Sequence, residues 1–207
     1  MDLIRKYFPG LSQHQQSAFG DLLDLLPRLN QQVNVISRKD IPHLEERHIL
    51  HSLSIAKAFE FPAEADILDA GTGGGFPGIP LAILFPHCSF TLVDSIGKKI
   101  RLVEALISHL KLENVRTLHS RMEQVDFRFD FVVSRAVASL AKLNGWVHPL
   151  FRPLEEEDPS ERGLIALKGG DLDQELLPFR DRVELFYLNR WFEEAFFSTK
   201  MIVYLKF

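Results

Sequence analysis

The sequence is poor in cysteine, has no long apolar runs, and lacks an excess of positive charge. Its only cysteine is Cys88, which excludes a disulfide framework and a cysteine-based zinc site. No apolar run approaches the roughly 20 residues of a membrane-spanning helix, and the N-terminus lacks the apolar centre of a signal peptide. The net charge of −4 excludes a generally basic nucleic-acid binder but permits a local basic face. We therefore expect a cytoplasmic protein without a membrane segment.

The N-terminal part of the chain has the apolar spacing of helices. Leucines recur at helical intervals over residues 11–34, where Pro27 is an interruption. Residues 40–59 begin with helix-start signals and continue with apolar residues at intervals of three and four. The sequence thus predicts an N-terminal helical region (residues 1–60) and a second domain (residues 61–207), which together form one unit.

After the helical region, short apolar runs alternate with helical patterns. Strands are predicted near residues 66–70, 89–94, 115–119, 129–134, 163–168, 182–188 and 200–206, and helices near 78–85, 97–111, 139–151 and 171–178. Such alternation is typical of a mostly parallel sheet with helices on both faces. The last two strands are too close for a crossover helix, which predicts an antiparallel hairpin. The predicted fold is therefore α/β, with a seven-stranded, mostly parallel sheet and a C-terminal hairpin.

Residues 67–83, ILDAGTGGGFPGIPLAI, place glycines and prolines between a strand and a helix. Glycine lets a ligand approach the backbone, and a helix N-terminus favours anionic or polar groups. Gly71 and Gly73 follow the first strand of the sheet, and Asp94 ends the second at an expected solvent-reachable position. An acid there is the usual partner of ribose hydroxyls, so the pattern favours an adenosine-containing cofactor.

Two cofactor classes fit such a turn. A nicotinamide dehydrogenase would match Gly73-x-Gly75-x-x-Gly78, but Pro77 then stands at the helix start and too little chain follows for a second nucleotide-binding half. An S-adenosylmethionine (SAM) methyltransferase needs only one such domain, and a terminal hairpin belongs to that class. We favour the methyltransferase. The alternatives are a nicotinamide oxidoreductase and a non-catalytic RNA-binding protein that retains a cofactor fold.

Several motifs resemble one family when they are taken together. RHILHSL, LDAGTGGGFPGIPLAI, TLVDSIGKKIRLVEAL, SRMEQVDFRFDFVVSRAVASL and ALKGG are similar to the RsmG (GidB) family of 16S ribosomal RNA guanine-N7 methyltransferases. The resemblance implies a Rossmann-like class I fold and methylation of N7 of a guanine in the decoding-region loop. It also implies SAM as cofactor, S-adenosylhomocysteine as product, no metal, and a monomer acting on 16S rRNA or the small ribosomal subunit.

The same resemblance assigns site residues. Its cofactor contacts fall on Gly71, Phe76, Met122, Glu123 and Arg135, and Asp94 matches the family's acid after the second strand. Guanine N7 has a free lone pair, so no general base is expected, and the catalytic contribution of Arg135 is orientation. Arg135 would hold guanine O6, a phosphate or the methionine carboxylate of the cofactor. His51 and Leu29 depart from the family pattern, where many members have aspartate and tryptophan.

RNA binding by an acidic chain requires a local basic face. The candidate residues on that face are Arg38, Lys39, Arg47, His48, Lys98, Lys99 and Arg101. His48 and His51 are spaced like a metal pair, but no further ligands accompany them, so no metal site is predicted. Lys168 ends the fifth predicted strand, where it either borders the target site or only turns the chain. Residues 155–162 are predicted to form a charged, solvated loop.

Overall fold

A seven-stranded sheet forms the centre of the computed structural model, which describes residues 1–153 and 162–207. Its strands are β1 (Asp66–Ala70), β2 (Ser89–Asp94), β3 (Val115–His119), β4 (Phe131–Arg135), β5 (Gly163–Gly169), β6 (Val183–Tyr187) and β7 (Lys200–Lys206). They are arranged in the order β3-β2-β1-β4-β5-β7-β6. The first five strands are parallel, whereas β7 is antiparallel to both β5 and β6. The predicted sheet and its C-terminal hairpin are confirmed.

Helices cover both faces of this sheet. They are α1 (Asp2–Tyr7), α2 (Gln13–Val33), α3 (His51–Leu53), α4 (Gly78–Leu84), α5 (Gly97–Leu110), α6 (Leu140–Val147) and α7 (Asp173–Leu176). Successive strand residues point to opposite faces, so Ile67 joins the core beneath α2, α4 and α5 while Leu68 joins the core beneath α6 and α7. The loops at the carboxyl ends of the parallel strands are therefore held between two packed layers.

Two helices of the C-terminal half are shorter than predicted. The predicted helix over 139–151 ends as an α-helix at Val147, and the one over 171–178 ends at Leu176. Each continues as a 3-10 turn with a proline at its second position, Pro149 or Pro178. Proline has no N–H to donate to the carbonyl four residues earlier, and its ring crowds that carbonyl, so the regular helix ends there. The predicted loop at 155–162 lies outside the described residues except for Arg162.

The prediction that Pro27 interrupts the first long helix is wrong. Helix α2 runs through this proline, from Gln13 to Val33. An internal proline costs a helix about 3 kcal/mol, but α2 buries Leu22 and Leu26 before the proline and Asn30 after it. The buried face on both sides therefore stabilises a helix that the local sequence alone would break.

The segment over 40–59 is also different from the single helix that was predicted. It consists of a 3-10 turn (Ile41–His43), a π-helix (Glu45–Leu50), α3 and a second 3-10 turn (Ser54–Lys57). The hydroxyl of Ser52 donates to the His48 carbonyl at 2.7 Å, and that of Ser54 donates to the His51 carbonyl at 2.6 Å. Serine hydroxyls that bond to nearby carbonyls compete with regular helix bonds, and they do so here in the C-terminal part of the segment.

Helix α1 was not predicted, because six residues form no stable helix in isolation. Its first turn is held by Glu45, which accepts bonds from the N-terminal amine at 2.8 Å and from the Ile4 amide at 3.0 Å. The Ile4 side chain is completely buried. Tertiary contacts thus create this helix. None of the helices within residues 1–153 and 162–207 is both long and apolar enough to cross a bilayer.

Candidate active site

The carboxyl ends of β1, β2 and β4 open into a cavity of about 580 Å³. Its lining contains every residue that the sequence assigned to the cofactor, namely Gly71, Gly73, Phe76, Asp94, Met122, Glu123 and Arg135. Ligands of open parallel sheets bind in this position, beyond the carboxyl ends of the strands. The structure therefore brings the sequence-predicted residues together at one site.

The glycine turn after β1 has a left-handed backbone. Gly71, Gly73 and Gly75 have φ values of 72°, 60° and 92°, which side-chain-bearing residues rarely adopt. A Cβ on Gly71 would lie 2.6 Å from a methyl carbon of Val137, whereas a Cβ on Gly73 would meet nothing closer than the Gly71 carbonyl oxygen at 4.0 Å. Gly73 thus leaves open space beside the cavity that it lines, and Gly71 lets the loop after β4 pack closely.

Asp94 connects the glycine turn to the start of α5. One carboxylate oxygen accepts from the Gly73 amide at 3.0 Å, and the other accepts from the Ile96 amide at 2.9 Å. The Lys99 ammonium lies 3.4 Å from the first of these oxygens. The sequence analysis placed Asp94 at a solvent-reachable position, but the side chain is buried. Asp94 shapes the site in addition to lining it.

A second carboxylate lies under the glycine turn and was missed by the sequence analysis. Asp69 is fully buried, and its Oδ2 accepts from the Thr72 hydroxyl at 2.6 Å and from the Gly78 amide at 2.9 Å. Its Oδ1 has no hydrogen-bond partner among the described residues. Burial raises the pKa of Asp69 to about 7, and the bonds from Thr72 and Gly78 only partly oppose this. The position of Asp69, two residues before Gly71, was the sequence feature that could have identified it as part of the site.

Arg135 ends β4 and turns toward the N-terminal helical region. Its guanidinium donates to the Arg47 carbonyl at 3.2 Å and to Nδ1 of His48 at 3.0 Å. The same group lies 4.9 Å from the ring centroid of Phe76, in a cation–π contact. Burial lowers the pKa of Arg135 to about 10, so the side chain is still a cation at neutral pH.

His48 is neutral in this environment. Burial, followed by the charge of Arg135, lowers the pKa of the imidazole to about 3. Its ring also packs against Phe76, with the ring centroids 5.5 Å apart. His48 was predicted to contact RNA, and the structure places it on the side of the N-terminal helical region that meets Arg135 and Phe76.

The other predicted RNA-binding residues fall into two groups. Arg38, Lys39, Lys98 and Arg101 are exposed and available to a polyanion. Lys99 lines the cavity beside Asp94, and Arg47 donates to the Asp40 carboxylate at 2.9 Å. Arg38, Lys39, Lys98 and Arg101 are therefore the solvent-exposed members of the predicted set.

Several cavity residues were not predicted from the sequence. Val35 comes from the segment after α2, Ile96 follows β2, Val137 follows β4, and Trp146 belongs to α6. Ile96 and Val137 keep 41% and 39% of their surface exposed and give the cavity an apolar rim. Ile96 and Val137 follow strand ends, so the topological rule could have found them, whereas Val35 and Trp146 required the tertiary structure.

Lys168 contacts the loop after β4 and does not simply turn the chain. Its ammonium donates to the Ala138 carbonyl at 2.6 Å and to the Glu175 carboxylate at 2.8 Å. The two departures from the family pattern lie outside the cavity lining. His51 is buried against Phe196 and Phe197, and Leu29 packs against the core beneath α2.

The cavity residues fit a cofactor that has an adenosine and a charged amino-acid group. Asp94 offers a carboxylate at the second strand end, Gly73 leaves the space that a side chain would occupy, and Arg135 supplies a cation. Within residues 1–153 and 162–207, no three His, Cys, Asp or Glu side chains are grouped closely enough to hold a metal. The residues present suit SAM.

This fold is the Rossmann-like fold of SAM-dependent methyltransferases, and the cavity lies where that fold binds its ligands. A SAM-dependent methyltransferase from Aquifex aeolicus superposes with a TM-score of 0.58, at 17% identity over 83% of this chain and 98% of that chain. An O-methyltransferase from Thermotoga maritima gives the same TM-score, at 15% identity over 81% of this chain and 69% of that one. These likenesses concern the fold.

The particular family follows from sequence similarity. The model of the GidB family, described as rRNA small subunit methyltransferase G, matches residues 15–192. Proteins named ribosomal RNA small subunit methyltransferase G from Porphyromonas gingivalis and Phocaeicola vulgatus are each 50% identical to this chain, over 99% of its length and 92% and 97% of theirs. That of Cytophaga hutchinsonii is 49% identical over 99% and 98%. The chain belongs to the rRNA small subunit methyltransferase G family, as its motifs predicted.

Proposed function

We propose that this protein methylates N7 of a guanine in the decoding-region loop of 16S rRNA, with SAM as the methyl donor. The observation that carries the proposal is the convergence of all seven sequence-assigned cofactor residues on one cavity. Family membership supports rRNA of the small subunit as the substrate. We further propose that the enzyme acts as a cytoplasmic monomer and without a metal.

The cofactor residues have separate roles in this proposal. Asp94 accepts the ribose hydroxyls while it keeps the Gly73 and Ile96 amides in place. The apolar side chains of Ile96 and Met122 flank the adenosine part, and the open backbone at Gly73 admits the amino-acid part. When bound, SAM supplies a methyl group on a positively charged sulfur.

The protein's contribution to the reaction is then positioning. N7 of guanine carries its own lone pair, so no side chain has to remove a proton from it. Arg135 cannot donate to N7 while that atom reacts, and it instead holds O6, a phosphate or the methionine carboxylate. Good alignment of reacting groups is worth roughly 7–11 kcal/mol, which makes a geometric role sufficient for substantial catalysis.

The target base has to reach the cavity from an RNA loop or by leaving its stack. Arg38, Lys39, Lys98 and Arg101 are exposed and would contact phosphates. Their charges compensate locally for the overall charge of −4.

The test is methyl transfer from labelled SAM to naked 16S rRNA and to small subunits, followed by mapping of the modified base. We expect one guanine to be labelled at N7. Label at another atom or in another RNA would contradict the proposal. Parallel titrations with S-adenosylhomocysteine and NADH separate the methyltransferase from the oxidoreductase, and absence of transfer by a protein that binds both cofactor and RNA would favour the non-catalytic alternative.

A further inference from the structure

The contacts around Arg135 link the N-terminal helical region to the cofactor cavity. Among the described residues, the hydrogen bonds of its guanidinium go to the Arg47 carbonyl and to Nδ1 of His48. The Arg135 side chain is partly buried. No carboxylate of residues 1–153 or 162–207 lies within ion-pair distance of its guanidinium. A guanidinium has five N–H groups, of which these bonds use two, and Arg135 also lines the cavity.

The π-helix changes which main-chain amide bonds to the carbonyls around Arg47. In a regular α-helix this carbonyl would accept from the amide of His51, four residues later. Here the His51 amide bonds to the carbonyls of Glu46 and His48 instead. Single π-turns are frequent at functional sites, and in this one the Arg47 carbonyl accepts from the Arg135 guanidinium at 3.2 Å.

The imidazole contributes the second acceptor. Nδ1 can accept from Arg135 only if it carries no proton, so a neutral His48 has its proton on Nε2. The ring simultaneously packs on Phe76, the same aromatic side chain that Arg135 covers. Three groups thus determine where the guanidinium lies: an imidazole nitrogen, a main-chain carbonyl and an aromatic face.

We propose that His48 is a positioning residue for methyl transfer, which holds the Arg135 guanidinium through Nδ1 in the orientation that the reacting base or cofactor requires. This inference rests on the proposed function and goes beyond it, because it gives the N-terminal helical region a direct part in the geometry of the active site. It also replaces the prediction that His48 contacts RNA.

A pair of amide variants tests the role of Nδ1. His48→Asn places an amide oxygen where Nδ1 lies, whereas His48→Gln places one near the position of Nε2. We expect His48→Asn to keep kcat within about threefold of the parent, and His48→Gln and His48→Leu to lose about 10²-fold, the size expected for a misplacement of about 1 Å. The KM for RNA should change little in all three. The matched control is His43→Gln, because His43 lies in the same segment with 45% of its side chain exposed.

A readout without the reaction completes the experiment. In ¹⁵N NMR spectra of the protein without cofactor, His48 should show the Nε2-protonated tautomer, and Arg135→Met should shift its Nδ1 resonance. Equal kcat values for the Asn and Gln variants, a larger effect on KM than on kcat, or an Nδ1-protonated His48 would each overturn the inference. A parent protein that transfers no methyl group to rRNA while showing the NMR signature would instead refute the proposed function. If His48→Leu does not fold, the Asn and Gln comparison still decides.

Discussion

Replacing Asp94 by alanine tests the centre of the cofactor site. The carboxylate accepts two main-chain N–H bonds, from Gly73 at 3.0 Å and from Ile96 at 2.9 Å. Hydrogen bonds to a charged group contribute roughly 1.5–3 kcal/mol each, and water in the cavity can replace part of what is removed. We therefore expect Asp94→Ala to lower the free energy of unfolding by about 3 kcal/mol. For a chain of this size that is a decrease in Tm of roughly 6–12 °C.

The same substitution removes the proposed acceptor of the ribose hydroxyls. Loss of two charge-assisted bonds at about 1.5 kcal/mol each corresponds to about a hundredfold weaker binding of S-adenosylhomocysteine. Displacement of the glycine turn would act in the same direction. Isothermal titration calorimetry measures the Kd, and thermal unfolding in the absence of ligand measures the stability.

Two further variants make the Asp94 experiment specific. Asp94→Asn keeps one carbonyl oxygen and should lose about half of each effect. Asp126→Ala removes an exposed acid from the loop after β3 and should leave both Kd and Tm unchanged. A folded Asp94→Ala protein that binds S-adenosylhomocysteine with the parent Kd would refute the assignment of Asp94 to the site.

Four other predictions concern separate parts of the molecule. Gly71→Val should abolish S-adenosylhomocysteine binding in a calorimetric titration, because a Cβ at φ 72° would lie 2.6 Å from Val137; normal binding would refute the packing described for the turn. Replacing Lys98 and Arg101 by glutamate should weaken RNA binding while the Kd of the cofactor is unchanged. The slope of log affinity against log salt concentration should become less steep by about 0.7 for each phosphate that is no longer neutralised. An unaltered slope would mean that this face of α5 contacts only solvent. Arg135→Ala should reduce kcat more than RNA affinity in single-turnover methylation, and the opposite ratio would make it a bulk phosphate contact. His51 is buried and its pKa lies well below its ordinary value, so only the unfolded chain takes up a proton there, and stability falls as the pH falls below about 6.5. His51→Leu should therefore reduce the loss of unfolding free energy between pH 7.5 and pH 5 by up to about 2 kcal/mol in urea titrations. An unchanged pH profile would show that His51 is not the proton acceptor.

The sequence by itself determined the sheet and the position of its ligand site. Alternating apolar runs specify strands, because each strand of a buried parallel sheet must be covered on both faces. The glycine turn and Asp94 could be placed together since parallel strands present their carboxyl ends at one edge. This rule requires only the order of the elements along the chain.

The tertiary structure decided the conformation of the N-terminal helical region. Helix α1 exists because Glu45 accepts from the N-terminal amine and the Ile4 amide, and α2 continues through Pro27 because residues on both sides of the proline are buried. The segment over 40–59 is helical as predicted, but its mixture of 3-10, π and α turns could not be read from apolar spacing alone.

The partners of the site's charged groups were also decided only in three dimensions. Arg135 and His48 are 87 residues apart in the chain, yet they form a hydrogen bond of 3.0 Å. Asp94 could be recognised as an acid at a strand end, but its bonds to the Gly73 and Ile96 amides depend on how two loops pack. Sequence spacing identifies which residues reach an edge of the sheet. Which groups they contact there depends on packing between segments that are distant in the chain, and local patterns do not encode such contacts.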